Sequence, residues 1–596
     1  MPTYKAPIRD FQFVLNELLE IEKYKNLLEG FADITPDLTD TIMAESAKLC
    51  EEVLQPLNQV GDKVGCKFDN GKVTAPPGFK EAFELYAQSG WSSFTCDPKY
   101  GGQGLPEVLN MALTEMVAAS NLAFGLFPGL THGAYNALHI HGNDEQKQKY
   151  LPGMVSGKWT GVMALTEPQA GTDLGLIRTK AEAGNDGSYK ITGTKIFISC
   201  GEHDMVENII HLVLAKLPGA PAGSKGISLF VVPKILVNDD GSLGKPNSLN
   251  CGAIEHKMGI HASPTCVINY DGATGWLVGQ PNKGLKAMFT MMNEARIYVG
   301  IQGLGLGEIS YQNALTYAKE RLQGRALKGA KFPDKPADPL IVHPDIRRML
   351  LTMRAFTEGA RALAMHTALQ VDITKRHPEA EAREQAEDFI QLMTPVIKSY
   401  LTETGSQVTN LGVQIFGGYG YIKEYGMEQF IRDARIAEIY EGANGIQALD
   451  LVGRKIPNRT GKFMRSFFHP VNDFITENRA DPEMAEFTKH LYKGLDSLQK
   501  ASMWLAAQGL ANPDEMGGAA SEYLKLFALV AFGFMWAKCA KVALAKQKTG
   551  NEKEFYETKI ATARFFMTKI LSQHYSLLAS ITAGVSVLEI PDSMTR

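Results

Sequence analysis

Apolar positions recur at helical spacing through residues 1–160, as in Phe11-Gln-Phe-Val-Leu-Asn-Glu-Leu-Leu and in the stretch from Asp40 to Leu54. Every third or fourth side chain there is apolar, the signature of amphipathic helices. Pro76-Pro77-Gly78 and the run Tyr100-Gly-Gly-Gln-Gly-Leu-Pro interrupt the pattern as loops. Between residues 161 and 280 the period changes. Short apolar runs (161–165, 191, 195–199, 209–217, 227–232 and 266–270) alternate with Gly, Asp, Asn and Pro, which predicts an all-β unit. Helical spacing returns over 281–455, broken by a Lys/Pro/Gly-rich surface excursion at 324–344, and a further helical segment fills 456–596. The pattern therefore predicts a mainly α chain with a central β domain. Its four parts are a helical domain (1–160), a β domain (161–280), a second helical domain (281–455) and a helical extension (456–596).

A length of 596 residues suits three or four domains at about 100–200 residues each. With 44% hydrophobic and 21% charged residues and a net charge of −4, the chain has the makings of globular cores and no basic surplus. Disorder and dedicated nucleic-acid binding are thereby disfavoured. The extension carries 17 Lys/Arg against 14 Asp/Glu, close to neutral. Seven scattered cysteines without CxxC spacing predict neither a zinc site nor a disulfide framework. The first residues lack a basic-then-apolar leader. The apolar run from Leu526 to Ala537 is too short to span a bilayer and reads as a buried helix, so a cytoplasmic protein without an integral membrane segment is expected.

Several tempting patterns fail. Gly303-Leu-Gly-Leu-Gly307 lies within helical spacing and lacks the GxGxxG offset after a strand, so close helix packing explains it better. His139 and His141 have no third metal ligand nearby in sequence, and no metal is expected. No GxSxG elbow or GxxxxGK[ST] loop occurs.

Three stretches can carry chemistry. In Met163-Ala-Leu-Thr-Glu-Pro-Gln-Ala-Gly-Thr-Asp, an apolar strand ends in a turn that offers hydroxyls and backbone N–H groups to a heterocycle or a phosphate. A simple capped turn explains the same residues equally well. In Lys195-Ile-Phe-Ile-Ser199, a regular strand would put Phe197 and Ser199 on one face, a ring beside a hydroxyl. Taken alone, this is more simply an ordinary sheet face. From Gln414 to Gln447, a Gly-rich loop leads into a helix that stops near Tyr440-Glu441-Gly442. A glutamate at such an apolar helix–loop–helix can serve as a general base.

Together these stretches resemble the acyl-CoA dehydrogenase family over about residues 30–455. The resemblance runs through Tyr100-Gly-Gly-Gln-Gly, Asp144-Glu-Gln-Lys-Gln-Lys-Tyr-Leu-Pro, Leu165-Thr-Glu-Pro-Gln-Ala-Gly-Thr-Asp, Gly193-Thr-Lys-Ile-Phe-Ile-Ser, Lys257-Met-Gly-Ile, Tyr317-Ala-Lys-Glu-Arg, Gln414-Ile-Phe-Gly-Gly and Arg432-Asp-Ala-Arg-Ile-Ala-Glu-Ile-Tyr-Glu-Gly. The length and C-terminal extension are similar to a long bacterial subgroup. The resemblance implies a helical domain, a β-barrel-like domain and a four-helix domain, with FAD between the last two. It implies that Leu165, Thr166, Phe197 and Ser199 meet the flavin, and Gly171 and Thr172 the pyrophosphate or the thioester chain. It further assigns Arg321 to the pyrophosphate across a dimer, Gln414 and Gly418 to the adenosine side, and Asn293, Arg296, Tyr440 and Gly442 to the acyl-CoA. Glu441 is the implied base. A minority of the family places the base immediately before the residue matched by Arg296, but that position is Ala295, and Glu294 is one helical step away. The sequence departs from the family at Gln323-Gly324-Arg325, where an aromatic residue is usual, at Ala443 for threonine, and at Phe197 for tryptophan.

The implied reaction is α,β-dehydrogenation of an acyl-CoA, with electrons passing to an electron-transfer flavoprotein and a homodimer as the assembly. The acyl group is a methylthio-propionyl or a straight chain. An acyl-CoA oxidase and a flavin-containing DNA-binding relative are the alternatives.

Overall fold

A computed structural model describes residues 2–594. The chain gathers into two compact units. Unit 1 comprises residues 1–44, 107–115 and 299–596, and unit 2 residues 45–106 and 116–298.

Unit 2 holds the β domain. Its seven-stranded sheet consists of β1 (Trp159–Ala164), β2 (Lys180–Ala183), β3 (Tyr189–Ser199), β4 (Asn208–Lys216), β5 (Ile227–Pro233), β6 (Leu249–Ile254) and β7 (Thr265–Val278). The strands pair in the order β6-β7-β3-β2-β4-β1, and β5 pairs with both β7 and β4. The ring β7-β3-β2-β4-β5 is therefore closed, its seam being the single pair Lys180↔Lys216. Closure gives each of these five strands a partner on both sides, while β6 and β1 end the order with one partner each. It also explains why β4 and β5 read as unbroken apolar runs, since both of their faces are covered. Ile210, Leu212 and Leu214 pack with Leu138, Leu151, Met288 and Met291 of the flanking helices.

The Asp144–Val155 helix of unit 2 starts on a capping box, in which Asn143 Oδ1 accepts from Gln146 N (2.8 Å) and Asn143 N donates to Gln146 Oε1 (3.1 Å). The Glu107–His141 helix kinks at Asn121. There the side chain bonds Leu54 O (3.1 Å) and Phe124 N (3.1 Å), supplying partners that the interrupted helix lacks.

Unit 1 is built on the Pro344–Arg376 and Ala380–Phe416 helices and the C-terminal part of the Gly284–Glu320 helix. Glycines set the spacing here. A Cβ on Gly303 would stand 2.4 Å from Leu401 O, and one on Gly405 would stand 2.5 Å from Gly303 O. Gly303-Leu-Gly-Leu-Gly307 is thus a helix-packing stripe, as its spacing suggested. The extension contributes helices Lys462–Asn478, Ala485–Ala511, Pro513–Thr549 and Lys553–Phe565. Leu526 to Ala537 is buried throughout, and Trp536 donates its indole N–H to Ala355 O (3.0 Å). Among the described residues, two helices, Glu107–His141 and Pro513–Thr549, are long and apolar enough to cross a membrane, but 83% of the apolar stretch of each is covered by protein.

A buried charge network ties the extension into unit 1. Arg361 pairs with Glu115 (2.9 and 3.1 Å from Nε), with Glu308 (2.9 Å) and with Asp10. Lys559 of the extension pairs with Asp10 and Glu358 (2.7 Å), and Arg354 with Glu358 (2.6 Å). Four carboxylates thus face three cations. Burial, with Glu308 and Asp10 nearby, pushes the Glu115 carboxyl up to about 7 despite Arg361.

Candidate functional site

Two groups of the sequence-predicted residues lie in unit 2. β1 ends at Ala164, and the chain turns through Leu165 to Gly171, closed by reciprocal backbone bonds between Glu167 and Ala170 (2.9 Å each). Thr166 O accepts from Ile196 N (2.9 Å), which sets this turn beside the end of β3. The two chemistry-bearing stretches, separated in sequence by some thirty residues, are thereby joined through the backbone.

β3 is not regular there. Its pairing with β7 shifts between Cys266 and Ile268, leaving Ile196 and Phe197 as a bulge. Phe197 has φ +57, in the left-handed region, and the residue is 58% exposed, whereas Lys195 and Ile198 are buried. The expectation of one regular face for Phe197 and Ser199 needs correcting in its reason: the bulge, not strand alternation, aims the ring. A bulky residue at positive φ costs on the order of 1–3 kcal/mol, and such residues cluster at functional sites. Among the described residues, the hydroxyls of Thr166, Thr172 and Ser199 make no hydrogen bond within the chain. A Cβ on Gly171 would meet only the Thr166 methyl, at 3.9 Å, so internal packing does not require a glycine there.

Asn293 and Arg296 stand together one helical turn apart, with Arg296 Nη1 donating to Asn293 Oδ1 (3.1 Å) and its guanidinium 5.6 Å from the Phe289 ring. Glu294 points to a different set of groups: His132 Nδ1 (3.1 Å), Asn136 and Tyr298. His139 and His141 also part company, the former on Asp97 (3.0 Å) and the latter on Thr290 (2.7 Å).

The other groups lie in unit 1. Arg321 follows the Gly284–Glu320 helix, with its guanidinium 5.6 Å from the Tyr419 ring, beside the stacked pair Tyr317 and Phe416 (4.1 Å). Gln414 and Gly418 are exposed at the end of the Ala380–Phe416 helix, and a Cβ on Gly418 would meet nothing within 4 Å. Where the family aromatic is absent, residues 324–338 close on themselves. The buried Asp338 carboxylate accepts from Ala326 N (2.9 Å), Lys331 N (3.1 Å) and Phe332 N (2.9 Å). Burial would push Asp338 up, but those N–H groups and Arg325 hold it down to about 2.

Glu441 occupies the loop between the Met427–Arg435 helix with its 3-10 extension and the Asn444–Asp450 helix. It has φ +56 and is followed by Gly442 at φ +87, two left-handed residues in succession. Gln447 Nε2 donates to Glu441 O (3.2 Å), and the Tyr440 hydroxyl donates to Gln302 Oε1. Burial, with Glu441 beside it, pushes the Tyr440 phenol well up, which keeps it a neutral donor. Ala443 is the N-cap of the Asn444–Asp450 helix and gives it no side-chain cap. Asn444 is instead turned back, accepting from Lys398 Nζ (3.0 Å) and donating to Ser399 O (3.1 Å). Sequence reasoning missed Glu167, Lys195, Gln302 and Gln447. All but Gln302 lie inside quoted stretches, and only their pairing in space marks them.

A closed β barrel between helical segments, with open hydroxyls and an outward-aimed ring on one edge, defines a fold that can seat a flat heterocycle. The comparisons supply the family. The chain matches the models for the acyl-CoA dehydrogenase N-terminal domain (residues 40–158), middle domain (162–273) and C-terminal domain (282–456), and for the acetyl-CoA dehydrogenase C-terminal-like domain (467–591). It is 43% identical to 3-methylmercaptopropionyl-CoA dehydrogenase of Ruegeria pomeroyi, over 96% of each chain. It is 33% identical to a butyryl-CoA dehydrogenase of Syntrophomonas wolfei, over 99% of this chain and 98% of that one. The acyl-CoA dehydrogenase of Bacillus anthracis, solved with FAD, superposes with a TM-score of 0.76 at 20% identity, over 96% and 92% of the two chains.

The chain belongs to the acyl-CoA dehydrogenase family. It is an oxidoreductase of that class, with FAD as its cofactor. Within unit 2 the residues present fit that group: three unengaged hydroxyls and an exposed aromatic residue suit a flavin, and the open position of Gly171 leaves room for a close backbone approach.

Proposed function

We propose that this chain removes the α-proton of an acyl-CoA thioester with Glu441 and yields the trans-2-enoyl-CoA. The observation that carries this reading is the Glu441 loop. A carboxylate sits at φ +56 in a turn fixed by Gln447 and by the Tyr440–Gln302 bond, while Ala295 leaves the alternative base position empty of any carboxylate. Bound FAD supplies the hydride acceptor for the β-hydrogen. The chain's own tasks are to orient the thioester, take the proton on the Glu441 carboxylate and keep water out. Negative charge growing on the thioester oxygen calls for aimed donors, and the backbone N–H of Glu441 is one the chain offers.

By this reading Leu165, Thr166, Phe197 and Ser199 contact the flavin. Gly171 and Thr172 meet the pyrophosphate or the thioester, and Arg321, Gln414 and Gly418 hold the diphosphate and adenosine end. Asn293, Arg296, Tyr440 and Gly442 contact the acyl-CoA. Arginine suits a diphosphate because its fork is bidentate. The relatives named above support a short acyl chain, either 3-methylmercaptopropionyl or a straight chain such as butyryl, and the electron acceptor is an electron-transfer flavoprotein. The four-part division at 160, 280 and 455 and a homodimeric assembly belong to the same proposal.

Anaerobic mixing of the purified flavoprotein with a panel of acyl-CoAs tests it. Flavin bleaching by at least one short acyl-CoA, with the enoyl-CoA as product, is expected. No bleaching by any member of the panel would reject the reaction, and rapid reoxidation in air would make the enzyme an oxidase.

A further inference from the structure

Glu167 and Lys195 form an ion pair (2.9 Å) with 3% and 0% of their side chains exposed. Taking two charges out of water costs several kcal/mol per ion, and a well-packed apolar pair of similar volume is often as stable. Stability alone is therefore a weak reason for the pair. Its bonds indicate another. Lys195 Nζ also donates to Leu165 O (2.8 Å), the residue at which β1 gives way to the turn. Glu167 Oε1 accepts from Thr179 N (3.0 Å) and Thr179 Oγ1 (2.6 Å), and its Oε2 from Arg178 N (2.6 Å) and Gln169 Nε2 (2.7 Å). One buried pair thus grips the start of the turn, its body and the segment entering β2.

Its position along the chain matters as much. Lys195 is the last buried residue before the Ile196–Phe197 bulge, and Ile196 N bonds Thr166 O (2.9 Å). A backbone held at positive φ persists only where its surroundings over-determine it. The Lys195 ammonium on Leu165 O and the Ile196–Thr166 bond supply two such constraints immediately before Phe197.

We propose that Glu167 and Lys195 are positioning residues of the flavin site: they fix Leu165–Thr172 and the Phe197 bulge relative to each other, and so set how FAD is held. This rests on the flavin contacts proposed above. Both side chains are too deeply buried to touch the cofactor, so their effect passes through the backbone.

The holoenzyme tests this through the visible circular dichroism of the bound flavin and the release of fluorescent FAD on dilution, read beside the melting temperature. Lys195→Met is expected to alter the visible dichroism and to weaken FAD retention by about tenfold or more, the loss typical of a hydrogen bond to a charged group. Thr179→Val, which keeps the pair and removes only the 2.6 Å bond to Glu167, is expected to fold and to weaken FAD retention by roughly threefold, less than Lys195→Met because the carboxylate keeps its bonds from Lys195, Arg178 N, Thr179 N and Gln169. Tyr270→Phe, which breaks the buried Tyr270–His211 bond (2.8 Å) in the same barrel, controls for stability: it lowers the melting temperature and leaves the flavin signals unchanged. Phe197→Ala separates the two levels of the reading. If Phe197→Ala leaves FAD retention and dichroism unchanged, the flavin contacts themselves are misassigned. If Phe197→Ala changes them while Lys195→Met and Thr179→Val move only the melting temperature, the positioning role is overturned. If Lys195→Met fails to fold, Thr179→Val decides alone.

Discussion

Replacing Glu441 by Gln removes the proposed proton acceptor with little change of shape. The loop is held through the Glu441 carbonyl, by Gln447 (3.2 Å), and through the side chains of Tyr440 and Asn444 on either side. The left-handed conformation at φ +56 is as accessible to Gln as to Glu. Glu441→Gln is therefore expected to keep its fold, its FAD and its affinity for acyl-CoA. What it loses is proton abstraction. A positioned general base contributes about 10²–10⁴-fold, which corresponds to about 2.7–5.5 kcal/mol of barrier. Anaerobic stopped-flow at the flavin absorption band measures the step directly, and titration with acyl-CoA measures binding separately. The partner experiment is Glu294→Gln. That carboxylate is engaged with His132 (3.1 Å), Asn136 and Tyr298, so its loss is expected to lower the melting temperature while flavin reduction stays within a few-fold of the parent. Flavin reduction at the parental rate in Glu441→Gln, or its collapse in Glu294→Gln alone, would refute the assignment of the base.

Three further outcomes follow from unit 1. Glu115 has its carboxyl pushed up to about 7 from the ordinary 4.5, so its contribution to stability is full below the unfolded value and is lost as pH rises through about 7. Glu115→Gln is expected to remove up to about 3 kcal/mol of that decline between pH 4.5 and 7 in denaturant titrations, leaving a residue from Asp372, which burial also pushes up to about 7; an unchanged pH profile would contradict this. Lys559→Met strips the cation from Asp10 and Glu358 and is expected to cost about 3–5 kcal/mol, as uncompensated buried charges do, and equal stability of variant and parent in urea would count against the network. Gly303→Ala sets a methyl 2.4 Å from Leu401 O and is expected to destabilise by about 1–3 kcal/mol through forced separation of the two helices, which thermal unfolding would detect.

What the sequence determines by itself is what local pattern can encode. Period 3.6 and period 2 report which faces of an element are covered, so the helical, β and helical segments and the packing role of Gly303-Leu-Gly-Leu-Gly307 are legible without coordinates. The unbroken apolar runs of β4 and β5 already carry the mark of strands buried on both faces. The turn at 165–172, the stretch at 195–199 and the Glu441 loop also stand out along the chain, because turn residues, aromatics and carboxylates are conspicuous where they interrupt a pattern. The rest required tertiary structure. Phe197 points outward because β7 pairs out of step with β3 at that point, and no property of residues 195–199 alone fixes a register set by a partner strand. Glu167 and Lys195 are 28 positions apart, and each taken singly is an ordinary polar residue in a strand or turn. Asp10, Glu115, Arg361 and Lys559 are farther apart still, with 549 positions separating Asp10 from Lys559. A charge reads as solvated surface until the fold shows that water has been excluded and a countercharge put in its place. Burial and pairing are properties of the packed whole, so only the tertiary structure decides them.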